Sequence, residues 1–307
     1  MKHLTTLRYV DMVARTGSIR GAAELLAITS TALNRRILAL EEELGVPVFE
    51  RLPRGVRLSS AGEILIHHIR AQLSDMERVR SQIADLAGAR RGHVSIACSQ
   101  ALLPYFLPEQ ITRYRKEHPG VTFGVYLRDR TAAEQAIVDH EADLALVFEP
   151  VRLSEIETIL TVPQPIYGVM SEDHPLAGHE TLRLKECLMH PVALPTRYYG
   201  VRHLIEIALV DSNLPFKPVI ESDSFEYLRN HAVAEGIISF QIPIGLPIDN
   251  PLPGMAVRPV DLRDVPAGLI YMCQLRGRTL PVAAARFSDQ VAKVLEARYG
   301  GAMQFGR

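Results

Sequence analysis

Short polar side chains and arginines stand together at the start of one segment, AITSTALNRRILALEEELG, residues 27–45. Apolar residues recur along it every three or four positions, which predicts a helix that buries one face: Leu33, Ile37, Leu40 and Leu44. At about 100° per residue, Thr31 and Arg35 point away from that face, and Asn34 and Arg36 lie on its flanks. Asparagine can pair with adenine and arginine with guanine, while hydroxyl groups and a helix N-terminus suit phosphate. These residue types predict a helix that enters the major groove of DNA.

The flanking segments predict the elements that position this helix. An apolar stripe over residues 4–13 ends at Gly17, and Ser18 then caps a short helix, SIRGAAELL. Thr29 is the predicted cap of the polar helix, and Gly45 its predicted end. The next segment, VPVFERLPRGVRLSSAG, predicts a hairpin turning at Pro53-Arg54-Gly55. This order is typical of a winged helix-turn-helix, and its predicted DNA contacts are Ser30, Thr31, Asn34, Arg35, Arg36, Arg51 and Arg54. The alternative is a solvated polar helix face beside a surface loop.

A long amphipathic segment follows, from Ser59-Ser60 to about Ala87. Its apolar residues keep helical spacing throughout: Leu65, Ile69, Leu73, Met76, Val79, Ile83 and Leu86. Such a helix extends roughly 40 Å at about 1.5 Å per residue. We expect a second copy of the helix to cover this stripe, with Leu73 and Ile83 facing the partner, which makes the protein a homodimer. The alternative is that the helix packs along its own chain.

From residue 92 the pattern changes to alternating strands and helices. Strand-like runs such as HVSIAC, VTFGVYL, DLALVF and GLIYMCQL alternate with amphipathic helical runs. Repeated strand–helix–strand units predict parallel sheets with helices on both faces. About two hundred residues are too many for one small sheet, so we expect two lobes with a cleft between them. The expected domains are residues 1–60, a linker helix 61–91, and a two-lobed domain 92–307, with lobe I at 92–163 and 268–307 and lobe II at 164–267.

Composition limits the classes of protein to consider. With 307 residues and 47% hydrophobic content, the chain is a folded multi-domain protein. Residues 1–91 carry 14 basic against 10 acidic side chains, and the remainder 20 against 25, so a basic N-terminal part precedes an acidic body. The three cysteines, Cys98, Cys187 and Cys273, have no metal-binding spacing, which favours free thiols in a reducing compartment. Without an apolar leader or membrane-spanning run, we expect a cytoplasmic protein.

The segment GSIRGAAELLAITSTALNRRILALEEELGVPVFERLPRGVRLSSAGE resembles the N-terminal domain of LysR-type transcriptional regulators almost position for position. The double alanine, LEEELG, FER and RGVRLSSAG all match, and the rest of the chain is similar in plan. Two departures concern base reading. Thr29-Ser30-Thr31 stands where many members have a serine–glutamine run, and Asn34 stands where many have serine. Arg35 keeps the family's basic position.

This resemblance implies an all-α winged helix-turn-helix, a long linker helix and an α/β effector domain like a two-lobed periplasmic solute-binding protein. The chain would cross between lobes near residues 163–165 and 265–268. The implied partners are a double-stranded DNA operator, a small-molecule effector, a second copy through the linker helix, two further copies in a homotetramer, and RNA polymerase. We expect the effector to be anionic and to bind between the lobes.

The candidate effector residues follow predicted strands or open predicted helices: Ser99, Gln100, Thr131, Tyr198, Arg202 and Ser224. The family resemblance implies the first three. Tyr199 and Ser222 belong to the same loops. The hydroxyl groups have an alternative role as helix N-caps, and Arg202 as a surface charge.

Other functions have weaker signals. No nucleophile elbow, phosphate loop or dinucleotide fingerprint is present, so we expect neither catalysis nor a cofactor. His67-His68 has no further ligand at metal-binding spacing, and Cys98 has no obvious resolving partner for redox sensing. The two rivals to a regulator are an exported solute-binding protein, which leaves the first 60 residues without a role, and an α/β enzyme without a readable catalytic set.

Overall fold

The computed structural model describes residues 3–86, 91–151, 153–210, 217–248 and 252–301. The chain forms two compact units: residues 1–86 together with 139–141, and residues 87–138 together with 142–307. The predicted end of the long helix near Ala87 lies outside the described residues.

The first unit is a winged helix-turn-helix followed by a long helix. Its elements in order are α1 (His3–Thr16), α2 (Ile19–Leu25), α3 (Ser30–Leu44), β1 (Phe49–Leu52), β2 (Gly55–Leu58) and α4 (Ser60–Leu86). The predicted caps are confirmed. Ser18 Oγ accepts a hydrogen bond from the Gly21 amide at 3.2 Å, and Thr29 Oγ1 accepts one from Ala32 at 3.2 Å. Gly45 ends α3 at φ 70°.

The wing is an antiparallel hairpin in which Leu52 pairs with Gly55. Gly55 has a φ of +97°, and a Cβ at this position would lie 2.4 Å from the Gly17 carbonyl oxygen. Only glycine fits this contact, because both the backbone conformation and the close approach exclude a side chain. The Gly17 oxygen also accepts a 2.8 Å hydrogen bond from the Val56 amide, which fixes the wing to the end of α1.

The apolar stripes of α3 and α4 are divided between core and solvent. Leu33 and Ile37 are buried and Leu40 packs partly on the core, but Leu44 is 44% exposed, so its predicted place in the buried stripe is wrong. On α4, residues Leu65, Ile66, Ile69 and Leu73 pack on the helix-turn-helix core. Leu73 is thus partly covered by its own chain, and its predicted contact with a partner helix stays a prediction. Further along, Val79 and Ile83 are exposed.

The second unit contains two five-stranded sheets. Lobe I holds β3 (Arg91–Cys98), β4 (Gly120–Leu127), β5 (Leu144–Phe148), β6 (Ile156–Gln164) and β12 (Gly268–Leu275), with α5 (Phe106–Glu117), α6 (Ala132–Val138) and α10 (Val282–Tyr299). Lobe II holds β7 (Tyr167–Ser171), β8 (Val192–Pro195), β9 (Ile220–Ser222), β10 (Ile238–Gln241) and β11 (Met255–Pro259), with α7 (Leu184–Cys187), α8 (Gly200–Ala208) and α9 (Phe225–Glu235).

Both sheets are mixed, so the predicted parallel pairing is confirmed for β4, β3 and β5 and for β10, β8 and β9 but is wrong for the other strands. The spatial orders are β4-β3-β5-β12-β6 and β11-β7-β10-β8-β9. In lobe I, β12 runs antiparallel to β5 and β6, and in lobe II, β7 runs antiparallel to β10 and β11. These strands adjoin the two crossings, where β6 ends at Gln164 and β12 begins at Gly268. A strand that leaves or re-enters a lobe at a crossing is not joined to a neighbouring strand through a helix. It therefore need not run parallel to that neighbour. The sequence pattern also missed β6 and β11 as strands.

One continuous apolar cluster runs through both lobes, with Phe106 and Phe287 in lobe I and Phe240 in lobe II. At the crossing, the buried Gln164 accepts a 3.0 Å hydrogen bond from the Ile244 amide through Oε1. Among the described helices, none has the length and apolar character to span a lipid bilayer.

Candidate nucleic-acid interface and interlobe cleft

The N-terminal half of α3 presents polar side chains to solvent. Ser30, Thr31, Arg35 and Arg36 are exposed, and Asn34 is half-buried at their edge. Within the described ranges, the guanidinium group of Arg35 has no hydrogen-bond or ion-pair partner. Arg36 lies over the ring of Tyr9 on α1, with 5.3 Å between the guanidinium carbon and the ring centroid. Of the two neighbouring arginines, Arg35 is therefore the one whose charge remains available to an external acceptor.

The wing brings further arginines beside α3. Nη2 of Arg51 donates a 2.7 Å hydrogen bond to Oδ1 of Asn34. Arg57 forms an ion pair with Glu50 at 2.7 Å, which reduces its value as a phosphate contact. Arg54 is exposed in the turn and has no partner among the described residues. Of the three wing arginines, Arg51 and Arg57 are held by partners, and Arg54 has none among the described residues.

Glu41 has a structural role that sequence reasoning missed. Its Oε1 accepts hydrogen bonds from the amides of Val48 at 2.8 Å and Phe49 at 3.0 Å. The carboxylate near the end of α3 therefore holds the first residues of the wing in place. The acidic run Glu41-Glu42-Glu43 at the end of α3 was the one signal in the sequence, and it did not indicate which carboxylate contacts the wing.

A narrow pocket of about 10 Å³, with room for about one water molecule, lies between the two lobes of the second unit. Lobe I lines it with Ser99, Ala101, Arg130 and Phe148, and lobe II with Tyr199, Gly200, Val201, Phe225 and Ile242. Ser99 is therefore the one predicted effector residue that lines this pocket. Its Oγ accepts a 3.0 Å hydrogen bond from the Phe148 amide and so joins the ends of β3 and β5.

Gln100 connects the lobes directly. Its Nε2 donates a 2.9 Å hydrogen bond to the carbonyl oxygen of Asp223, and its Oε1 accepts one from the amide of Phe225 at the start of α9. Both polar atoms of the side chain are thus engaged by the backbone of lobe II. An effector that contacts Gln100 has to compete with these bonds.

Two predicted hydroxyl residues differ in local role. Ser224 is the N-cap of α9, since its Oγ accepts a 3.2 Å hydrogen bond from the Tyr227 amide. Thr131 is exposed and is not the cap of α6. That role belongs to Asp129, whose Oδ1 accepts from the amides of Thr131 at 2.9 Å and Ala132 at 2.8 Å.

The lobe II loop places its two tyrosines differently. Tyr198 is 71% exposed, whereas Tyr199 is half-buried and packs edge-on against Phe225 with 5.3 Å between ring centroids. Burial raises the pKa of Tyr199, and the carboxylates of Asp223 and Asp129 raise it further. Of the two tyrosines, Tyr199 rather than Tyr198 therefore lines the pocket.

Arg202 is buried, so its alternative reading as a surface charge is wrong. It is 3% exposed, and its guanidinium group contacts Glu206 at 2.7 Å and Glu221 at 3.2 Å. Arg202 is absent from the pocket lining. Glu206 lies four residues after Arg202 on α8, a spacing from which the sequence could have predicted an ion pair, whereas the contact with Glu221 on β9 depends on the fold.

Arg130 is the cationic residue of the pocket, and sequence reasoning missed it. It directly precedes Thr131, and its Nε donates a hydrogen bond to the carbonyl oxygen of Glu149. Burial lowers the pKa of Arg130, and Glu149 partly opposes this shift. The carboxylate of Glu149 in turn accepts a 2.7 Å hydrogen bond from the amide of Leu269 at the second crossing.

The cysteines and histidines do not point to metal or redox chemistry. All three cysteines are free and buried, and burial raises the pKa of both Cys98 and Cys187 to about 12. A thiol with so high a pKa carries almost no thiolate at neutral pH. Over the part of the chain that the structure describes, no group of three potential ligands is arranged to hold a metal ion.

Comparisons with known proteins agree with this architecture. Residues 4–63 match the model of the bacterial regulatory helix-turn-helix protein, lysR family, and residues 87–296 match the LysR substrate binding domain. The chain is 30% identical over 258 residues to an uncharacterized HTH-type transcriptional regulator, YbhD, of Escherichia coli, covering 84% of this chain and 78% of that protein.

Solved structures share the fold. A full-length OxyR variant from Pseudomonas aeruginosa superposes with a TM-score of 0.71 at 22% identity, covering 95% of this chain and 94% of that one. Full-length CbnR complexed with its target DNA gives a TM-score of 0.64 at 17% identity, covering 94% and 99%. The named relatives are transcriptional regulators rather than enzymes, as the sequence predicts.

Proposed function

Since the chain belongs to the LysR family of transcriptional regulators, with a helix-turn-helix DNA-binding domain and an effector-binding domain, we propose how its own residues carry out these functions. α3 and the wing read an operator, and the pocket between the lobes binds a small effector. Effector binding changes how the protein sits on DNA, because a ligand that favours one arrangement of the lobes shifts the population toward it.

One observation supports the DNA-binding part of the proposal. Arg35 is exposed at the middle of the polar face of α3, and its guanidinium group has no partner among the described residues. In a helix-turn-helix, this part of the second helix lies against base edges, where arginine pairs with guanine. Ser30, Thr31, Asn34 and Arg36 lie around it, and Arg51 and Arg54 add wing contacts to the sugar–phosphate backbone.

We propose that α4 joins two copies of the chain, and that two dimers form a tetramer. Val79 and Ile83 support this assembly, because both are exposed and neither packs on the helix-turn-helix core. The proposed setting is the cytoplasm, with RNA polymerase as the further partner at a promoter.

The effector half rests on the pocket between the lobes. Ser99 lines it, and Gln100, Thr131, Tyr198, Arg202 and Ser224 remain predicted effector residues that lie outside its lining. Tyr199 and Arg130 are the residues we add to the proposed contacts.

The DNA proposal is tested with a duplex selected from a random-sequence pool by the full-length protein. We expect Arg35→Ala to weaken binding to the selected duplex by about 1–3 kcal/mol and to relax base preference at one position. Arg54→Ala should weaken all sequences evenly and lower the slope of log affinity against log salt by about one. Selective binding that survives in Arg35→Ala would mean that α3 is not the reading helix.

A further inference from the structure

Leu38 is a solvent-exposed apolar residue on the polar face of α3. Its side chain is 47% exposed, and it does not belong to the apolar core of the helix-turn-helix. At about 100° per residue, Thr31, Arg35 and Leu38 lie within about 60° of one another, on the side of the helix opposite its buried stripe. Leu38 therefore shares the surface that we propose to face the major groove.

The order of side chains along this face limits which of them can lie against DNA. Arg35 carries a positive charge without a partner among the described residues, and Leu38 follows about one turn later. Glu42 is exposed about one turn after Leu38. Backbone phosphates attract the guanidinium group and repel the carboxylate. Leu38 is thus the last residue of the face before the charge that directs the helix away from DNA.

Leucine can make one kind of contact with DNA. Its side chain has no hydrogen-bond donor or acceptor, so it binds neither phosphate nor the polar atoms of the base edges. In the major groove, the apolar group that a base edge presents is the C5-methyl group of thymine. A contact between the two removes apolar surface of both from water, which is worth about a fourfold change in affinity for each carbon group buried.

Helix geometry relates the position of this thymine to the base that Arg35 reads. Leu38 lies three residues after Arg35, which is about 4.5 Å further along the helix axis. Long side chains of a helix lean toward its N-terminus, so the leucine methyl groups lie nearer to Arg35 than this rise indicates. Successive bases of one strand are about 3.4 Å apart. The two side chains therefore reach positions within about two base pairs of each other.

We propose that Leu38 contacts the C5-methyl group of an operator thymine, within about two base pairs of the base read by Arg35. Leu38 thereby makes thymine preferred over cytosine at this position, because cytosine lacks the methyl group. This proposal rests on the proposed DNA-reading role of α3 and adds a specificity-determining residue to it.

The test compares the duplex selected by the full-length protein with otherwise identical duplexes in which one thymine at a time is replaced by deoxyuridine. This replacement removes only the methyl group. We expect the wild type to bind one of these duplexes about fourfold more weakly, at a position within about two base pairs of the one that Arg35→Ala relaxes. Leu38→Ala should bind the thymine and uracil forms equally, because the partner of the methyl group is gone. Fluorescence anisotropy at fixed salt measures the affinities.

Two variants are matched controls. Leu44→Ala shortens a leucine of similar exposure, 44%, on the same helix but in line with its buried stripe, and should keep the wild-type preference for thymine. Thr31→Ser removes another methyl group from the polar face while keeping the hydroxyl group, and should keep the preference at the position assigned to Leu38. Since Leu38 is exposed, Leu38→Ala should keep the melting temperature of the wild type.

The outcomes separate this proposal from the proposed function. A wild type that binds every uracil duplex as tightly as the selected duplex would overturn the role of Leu38. A preference for thymine that persists in Leu38→Ala, or that is lost in Thr31→Ser instead, would overturn it as well. In each of these cases, base preference lost in Arg35→Ala would leave the DNA-reading role of α3 standing. That role fails only if Arg35→Ala also keeps full selectivity.

Discussion

Arg51 on the wing and Asn34 on α3 share a 2.7 Å hydrogen bond, with the guanidinium Nη2 as donor and the amide Oδ1 as acceptor. The bond tethers a long side chain beside the polar face of the helix. It also occupies one lone pair of Asn34 Oδ1, the atom that would accept a hydrogen bond from the amino group of adenine. Asn34 is thus a positioning residue for Arg51 as well as a predicted base contact, and the two side chains should act on DNA as a unit.

We expect non-additive effects on operator affinity from Asn34→Ala and Arg51→Ala. Each single change removes the shared bond, so the double variant should be less impaired than the sum of the two by about 0.5–1.5 kcal/mol. Fluorescence anisotropy with the selected duplex at fixed salt measures this coupling. Asn34→Ala combined with Arg54→Ala serves as the control and should be additive. Full additivity for Asn34 and Arg51 would mean that the bond is broken on DNA.

Glutamate at two positions of α4 should have opposite consequences. Ile83 is exposed in the single chain, so Ile83→Glu should leave the chain folded but convert the oligomer to a smaller species, because it places charge in the proposed helix–helix interface. Leu73 packs on the helix-turn-helix core, so Leu73→Glu should lower the melting temperature. Light scattering and thermal unfolding distinguish them. An oligomer that survives Ile83→Glu would contradict the proposed interface.

Gln100→Ala should destabilise the second unit. It removes both hydrogen bonds to lobe II and leaves the Phe225 amide without its partner, at an expected cost of about 1–3 kcal/mol. Thermal unfolding of the full chain measures the loss. Gln135→Ala, an exposed glutamine on α6, is the matched control and should change stability by less than about 0.5 kcal/mol. Equal stability of the two variants would show that the lobes do not depend on this contact.

Two substitutions test whether Asp129 or Thr131 caps α6. Asp129→Ala should cost about 1 kcal/mol in unfolding free energy, because the amides of Thr131 and Ala132 both lose their acceptor. Thr131→Val should change it by less than about 0.5 kcal/mol, since the side chain is exposed. Denaturant unfolding of the full chain gives both values, and a larger loss in Thr131→Val would reverse the assignment.

Local signals were predictable from the sequence. An N-cap hydroxyl stands just ahead of an apolar helical run and binds the backbone amide three residues further along. This contact is local, so Ser18 and Thr29 could be assigned as N-caps without knowledge of the fold. Gly45 likewise ends α3 through its own backbone conformation. Long stretches of apolar residues at helical spacing likewise predicted α1, α3 and α4. Side chains three or four residues apart share one face of a helix, whatever elements surround it.

The sequence did not predict which other part of the chain each side chain contacts. Leu73 and Ile83 belong to one stripe, and only packing against the helix-turn-helix core separates them. In the cleft, the predicted Arg202 binds glutamates on α8 and β9, while Arg130 lines the pocket. The contact of Arg202 with Glu221 and the place of Arg130 in the pocket depend on elements distant in sequence, about which helical periodicity carries no information.

A buried histidine in lobe II gives the chain a defined sensitivity to acid. Nδ1 of His174 accepts a 3.2 Å hydrogen bond from the Leu176 amide, and its ring packs edge-on against His190 with 4.7 Å between centroids. Burial lowers the pKa of His174, and the charge of His190 lowers it further. A proton on Nδ1 would also remove the acceptor of the Leu176 bond. The folded state therefore binds a proton at this site less readily than the unfolded state does.

The sign of the pH effect follows from this difference. The contribution of neutral His174 to stability is complete above the ordinary histidine pKa of about 6.5 and is lost as pH falls through the lower pKa of the folded state. We expect the melting temperature of the full chain to fall between about pH 7.5 and pH 5. In His174→Asn, whose Oδ1 can accept from Leu176 without titrating, the fall should be smaller. His179→Asn, which changes a half-exposed ring nearby, should keep the wild-type slope. Identical slopes for wild type and His174→Asn would mean that other groups set the acid sensitivity.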